Sequence, residues 1–171
     1  MALNFPSGTQ SGPASIIQIQ YYTMNAVWTS TANGWKATGL SDSITPSSTS
    51  SKILVQVHLG AASADDNTIA FRLFRNGSEL TGANGTQVNN NLGVWHREGG
   101  NFKGDYNHAR GAFMHYVDSP STTSSLTYQL YMNQETESGT VHINREINSG
   151  NTTGIEQTRT SSTIVLMEIS G

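Results

Sequence analysis

Apolar residues recur at every second position in short runs along this chain. Leu126, Tyr128, Leu130 and Met132 alternate with Thr127, Gln129 and Tyr131, and Ile53, Val55, Val57 and Leu59 alternate with Leu54, Gln56 and His58. Successive side chains of a strand point to opposite faces, so a period of two buries one face and leaves the other outside. No segment carries a sustained helical stripe. The same signal predicts a strand from Ile16, where Ile17, Ile19 and Tyr21 alternate with Gln18, Gln20 and Tyr22. Others are predicted around Val27-Trp28-Thr29 and over residues 35–44, 68–75, 111–118, 140–144 and 163–170. Asn33-Gly34 and Asn76-Gly77 are tight-turn signals between them. About eight or nine short strands with turn-rich joints predict an all-β chain, an antiparallel β-sandwich of jelly-roll type. The expected core includes Ile53, Val55, Val57, Leu59, Phe71, Leu73, Tyr128, Leu130, Val165 and Met167.

Charge is scarce. Asp, Glu, Lys and Arg make up 12% of the 171 residues, against about 25% in an ordinary soluble domain. Hydroxyl and amide side chains take their place, as in Ile44-Thr45-Pro46-Ser47-Ser48-Thr49-Ser50-Ser51-Lys52. The outward positions Gln18, Gln20, Gln56, His58, Thr127, Gln129 and Tyr131 are polar but uncharged, which lowers the cost of burying them. A β surface with few charges lacks the usual defence against association. Both features point to a face covered by copies of the chain or by a larger assembly. With a net charge of -3 and no Lys/Arg run, a grip on nucleic-acid backbone is not expected. No secretion signal and no apolar run of membrane-spanning length is visible, so no membrane partner is expected. The absence of cysteine rules out disulfides and thiolate metal sites.

One domain is expected over residues 15–171, preceded by an arm at 1–14. Phe5-Pro6-Ser7-Gly8 and Ser11-Gly12-Pro13 are breaker signals without periodicity. Leu3 and Phe5 give the arm a small apolar anchor for a groove on a neighbouring protein.

No constellation for catalysis stands out. The five histidines have no recognised metal spacing. Asp65-Asp66-Asn67 lacks the Gly and distant Glu of a calcium loop and reads as a turn cap. Glu135 and Glu137 read as solvated acids at a hairpin tip rather than a glycosidase pair. Neither G-x-S-x-G nor a phosphate loop occurs. The reading is a non-enzyme without cofactor. The one binding candidate is the glycine-rich stretch between Ser78 and Arg110, expected to be an ordered surface loop. Its Trp95, His96, Arg97, Phe102 and Tyr106 could stack on sugar rings, with Asn89, Asn90 and Asn91 bonding hydroxyls. The competing role, placed ahead, is that Trp95 and Phe102 anchor the loop to the core or to a neighbouring subunit.

Residues 39–55, Arg72-Leu73-Phe74-Arg75-Asn76-Gly77, Tyr116-Val117-Asp118-Ser119-Pro120 and residues 160–169 occur in an order that resembles a family of tailed-bacteriophage virion proteins, common among cyanophages and marine phages. The resemblance covers most of residues 16–170. It implies a β-sandwich domain, usually trimeric, in fibres, knobs or head decorations, with no catalytic residues. A tail fibre normally adds an anchor domain and a shaft, and neither is visible in this chain. The resemblance therefore implies a capsid decoration or cement protein in the virion, partnered by itself as a homotrimer and by the major capsid protein or another virion protein. The alternative is a tail-fibre or receptor-binding module that recognises host surface glycan.

Overall fold

The computed structural model of the chain describes residues 14–64, 67–83, 94–98, 110–134, 139–145 and 159–171. Residues 1–13 of the arm, with Leu3 and Phe5, together with Phe102, Tyr106, Glu135 and Glu137, lie outside the described residues. The described residues form eleven strands: β1 (Ile16–Met24), β2 (Trp28–Ser30), β3 (Lys36–Ile44), β4 (Lys52–Ala64), β5 (Asn67–Arg75), β6 (Ser78–Glu79), β7 (Val94–Glu98), β8 (Arg110–Asp118), β9 (Leu126–Gln134), β10 (Val141–Ile143) and β11 (Ser162–Ile169). Among the described residues the one helical piece is a 3-10 turn at Thr81–Ala83.

All pairings are antiparallel and form two sheets. In sheet A, β1 and β2 share one edge row, β11 and β10 share the next, and β4 and β8 complete it. In sheet B the order is β3, β9, β5, with β6 and β7 sharing the outer edge. The inner faces of the two sheets pack on each other, giving the antiparallel sandwich that the period-two runs predict.

Local chemistry explains the joints. Asn76 and Gly77 both take positive φ, 50° and 78°, as a two-residue hairpin turn requires. The Asn76 side chain accepts the Thr127 N–H at 2.8 Å, and Asn76 N–H donates to the Thr127 carbonyl at 2.9 Å, so the hairpin is fastened to β9. In β4 the edge partner changes from β11 to β10 near Gly60, beside an irregularity in its pairing with β8 between Leu59 and Ala62. A Cβ at Gly60 would stand 2.2 Å from the Ser161 carbonyl oxygen, so only glycine allows this close approach.

Asn144 fills the break between β10 and β11. Its φ of 65° lies in the left-handed region that Asn tolerates. Its side-chain amide donates to the carbonyls of Met24 at 2.7 Å and Ala26 at 3.0 Å, and its Oδ1 accepts the Ser162 hydroxyl at 2.6 Å. One fully buried residue thus ties the β1–β2 bend to the β10–β11 break.

The core contains eight of the ten expected residues: Ile53, Val55, Val57, Leu59, Phe71, Leu73, Tyr128 and Leu130. Val165 and Met167 are not in it. Ile164 and Leu166 fill those places, and the expected pair lies half-buried on the other side of β11. The run Ile164-Val165-Leu166-Met167 is apolar on both faces, so periodicity alone does not choose between them. Glu168 chooses, because its donors lie on the core side. β1 is also turned over relative to expectation: Gln18 points to the core side and bonds Glu168, while Ile19 and Tyr21 are exposed. The expected loop between Ser78 and Arg110 contains two strands, β6 and β7, so Trp95, His96 and Arg97 sit on an edge strand rather than in a loop.

A small apolar cavity of about 10 Å³ is lined by Val57, Leu59, Phe71, Ala112, Met114 and Leu130. Val57→Ala enlarges it and is expected to destabilise the fold by about 1–3 kcal/mol. Val165→Ala, on the outer face, is expected to cost less than half as much. Urea unfolding of the two variants checks which parity of β11 builds the core.

Candidate functional site

Two buried carboxylates stand in one row across sheet A. The register aligns Gln18 with Glu168, Glu168 with Ile53, and Ile53 with Asp118. Glu168 is fully buried. Its Oε1 accepts the Ser47 N–H at 2.7 Å and the hydroxyls of Ser47 and Ser51 at 2.6 Å each. Its Oε2 accepts the Gln18 side-chain amide at 2.6 Å, and that amide also donates to the Thr45 carbonyl at 2.7 Å. Burial by itself would raise the carboxyl pKa. The bonds from Ser47, Ser51 and Gln18 outweigh burial and hold it down at about 2. The Ser/Thr block between β3 and β4 therefore wraps a buried anion.

Asp118, at the end of β8, links the two sheets. Its Oδ2 accepts from Arg75 Nη1 at 2.5 Å and from the Tyr128 hydroxyl at 2.7 Å, both on sheet B. Burial drives the Tyr128 pKa well above the usual phenol range, and the bond to Asp118 and its negative charge add to the rise. Burial opposes the Arg75 cation, but its bond and attraction to Asp118 outweigh that and keep it charged. Glu168 thus accepts donors through both of its oxygens, and Asp118 accepts two through Oδ2. Among the described residues, no group of three or more His, Cys, Asp or Glu gathers as a metal site.

The two outer faces differ. On sheet B the Phe74 and Tyr131 rings stack with centroids 3.9 Å apart, and Trp35 meets Phe74 at 6.4 Å. The Arg72 guanidinium lies 4.2 Å from the centre of the Trp35 ring and pairs with Glu79 at 2.8 Å. These side chains pack on one another. The outer face of sheet A has a different make-up. Cross-strand rows run Ile19–Met167–Leu54–Val117, then Tyr21–Val165–Gln56–His115, then Thr23–Thr163–His58–Phe113. Tyr21 is 71% exposed, Phe113 58%, Ile19 51% and Val117 47%. The one charged side chain in these rows or the next is Lys52, opposite Ile169 at the end of the face. This bare, uncharged apolar face is the strongest candidate for a functional surface.

Of the residues singled out in the sequence, Trp95, His96 and Arg97 pair through their backbones with Ala70, Ile69 and Thr68 of β5. That places β7 at the edge of sheet B, on the strand that also bears Arg72 and Phe74. The face formed by Ile19, Tyr21, Phe113 and Val117 escaped the sequence reading, which assigned the alternating apolar residues of β1 to the core. The available signal was β1 itself, where Tyr21-Tyr22 puts a large ring on each side of one strand.

No protein-family model matches the chain, and comparison with curated proteins finds no match.

Glu168→Gln tests the buried anion. Glutamine has one acceptor oxygen, and its amide nitrogen would face the Gln18 amide or the serine donors. The substitution is expected to cost about 1–3 kcal/mol at neutral pH. The folded pKa of about 2 lies below the ordinary 4.5, so the stabilisation is present above about pH 4.5 and disappears as the pH falls toward 2. Urea melts of wild type and variant should converge over that window; a gap that persists unchanged at pH 2 contradicts the assignment.

Proposed function

We propose that this chain is a non-enzymatic structural subunit of a tailed-bacteriophage virion, a decoration or cement protein that stabilises the head. In this reading it works as a homotrimer seated on the major capsid protein. The observation that carries the reading is the exposed, uncharged apolar outer face of sheet A. A freely diffusing protein guards a β surface with charges, whereas a subunit covered within an assembly has no such need. The strand rows fit jelly-roll wiring, with β1–β2, β10–β11, β4 and β8 in one sheet and β3, β9, β5 and β6–β7 in the other.

A second support comes from where the phage-like segments meet. Residues 39–55 supply Ser47 and Ser51, residues 160–169 supply Glu168, residues 116–120 supply Asp118, and residues 72–77 supply Arg75. Segments scattered along the sequence therefore converge on the carboxylate row at one end of the sandwich. Residues 39–55 and 160–169 meet at Glu168, and residues 72–77 and 116–120 meet at Asp118, in the same row of sheet A.

The tail-fibre alternative draws on a different observation, the Trp35, Phe74, Tyr131 and Arg72 cluster on sheet B, where rings and a guanidinium stand together as in sugar-binding surfaces.

Addition of the purified protein to phage heads that lack it tests the proposal. Saturable binding to the head lattice and a higher temperature of head disruption are the expected results. Failure to bind heads overturns the decoration role. Labelling confined to the tail tip, with loss of host adsorption in Trp35→Ala particles, would establish the receptor-binding reading instead.

A further inference from the structure

We infer that Asn33 is a site of self-modification: its side-chain amide closes on the peptide nitrogen of Gly34 and is converted, without an enzyme, to aspartate and isoaspartate. The inference is independent of the virion role. Asparagine counts among the thermolabile side chains. Asn33 and Gly34 lie in the connection that crosses from β2 in sheet A to β3 in sheet B, outside the strand ladders of both. Asn33 is exposed. Gly34 N–H donates to Asn33 Oδ1 at 2.7 Å. The side chain therefore folds back over the peptide bond that follows it. Its Cγ, one bond from Oδ1, is held beside the nitrogen that attacks it. Gly34 takes a φ of 81°, and a Cβ built there meets nothing within 4 Å. No side chain on Gly34 shields the nitrogen, and no packed neighbour at that point resists the rearrangement.

The reaction balances with water alone. Gly34 N gives up its proton to hydroxide and bonds to Asn33 Cγ. The Cγ–Nδ2 bond breaks, and Nδ2 takes a proton from water and leaves as ammonia. The product is a cyclic imide closed through the Asn33 carbonyl carbon and Gly34 N. Water then opens the ring. Cleavage of the new N–Cγ bond leaves aspartate. Cleavage between the nitrogen and the Asn33 carbonyl carbon leaves isoaspartate, in which the chain runs through Cβ and Cγ. Nothing is oxidised or reduced.

A second Asn-Gly pair supplies the contrast. Asn76 and Gly77 form the hairpin turn between β5 and β6. Asn76 Oδ1 accepts the Thr127 N–H at 2.8 Å, and Asn76 N–H donates to the Thr127 carbonyl at 2.9 Å. Closing the same imide at Asn76 requires the carboxamide to leave Thr127 and the hairpin to open. The two pairs share one motif, and the fold presents one for reaction and ties down the other. Either product at position 33 puts a carboxylate two residues from Trp35, whose ring meets Phe74 and lies 4.2 Å from the Arg72 guanidinium. It makes the formal net charge of -3 more negative by one. Isoaspartate also lengthens the backbone where it crosses between the sheets.

The test ages the purified full chain well below its melting temperature, at neutral and mildly alkaline pH, and follows each Asn-Gly peptide by mass spectrometry. Asn33 is expected to convert at least ~10-fold faster than Asn76, since misplacing reacting groups by about 1 Å already costs on the order of 100-fold. The rate should rise in step with hydroxide, isoaspartate should be among the products, and the aged chain should elute later from an anion exchanger. In urea the two sites should convert at similar rates, because the fold no longer distinguishes them. Asn33→Gln should stop the gain of acid at that position, since the longer side chain closes a larger ring poorly, and should leave the circular dichroism spectrum unchanged. A native chain in which Asn33 converts no faster than Asn76 overturns the inference. So does a difference between the sites that persists unchanged in urea, which traces it to flanking sequence rather than to the fold.

Discussion

The buried carboxylate of Glu168 decides which way two strands of sheet A face. An anion taken out of water must find donors, and four converge on this one from Ser47, Ser51 and Gln18. Because a strand alternates sides with each residue, placing Glu168 inward also places Ile164 and Leu166 inward and Val165 and Met167 outward. Gln18, aligned with Glu168 across the ladder, turns inward with it, so Ile19 and Tyr21 turn out. One anion therefore builds part of the core and turns the apolar residues of β1 and β11 outward in the same step.

The same row shows how the sandwich is closed at that end. Ile53 lies between Glu168 and Asp118 in register. Glu168 holds the β3–β4 connection, and Asp118 reaches across to Arg75 and Tyr128 on sheet B. Removing one partner of such a cluster costs more than its net contribution, because the remaining groups stay buried without a bond. Asn144 performs the corresponding task elsewhere in sheet A, where an edge row has to break and bend. Hydrophobic burial holds the two sheets together, while these three polar residues fix the register and the course of the connections.

The two outer faces carry different chemistry for the same reason of local supply. Sheet B has Arg72 and Glu79 to pair with each other and three rings to cover its surface. Sheet A has no such set. Its outer rows are Ile, Val, Leu, Met, Tyr, Phe, Thr, Gln and His, with Thr23 and Thr163 sharing a hydrogen bond across strands. An exposed patch of this composition is what marks the face as the candidate functional surface.

The sequence by itself determined nine of the eleven strands among the described residues, the antiparallel class and the parity of β4, β5 and β9. In those strands one face is consistently apolar, so the inward side is set by local composition, as at Ile53 to Leu59 and Leu126 to Met132. The Asn76-Gly77 turn was equally legible, because positive φ at both positions selects those residues. The parity of β11 and β1 was decided by tertiary structure. Both faces of β11 are apolar, and the group that selects one is held by a serine 121 residues away in sequence. Trp95, His96 and Arg97 became an edge strand for a similar reason: glycines hide the pattern locally, and the free edge of β5 supplies the hydrogen bonds. The β1 and β11 rows of the candidate face were missed in the sequence because their side is set only once Glu168 has turned inward, whereas the β4 row with Gln56 and His58 was legible.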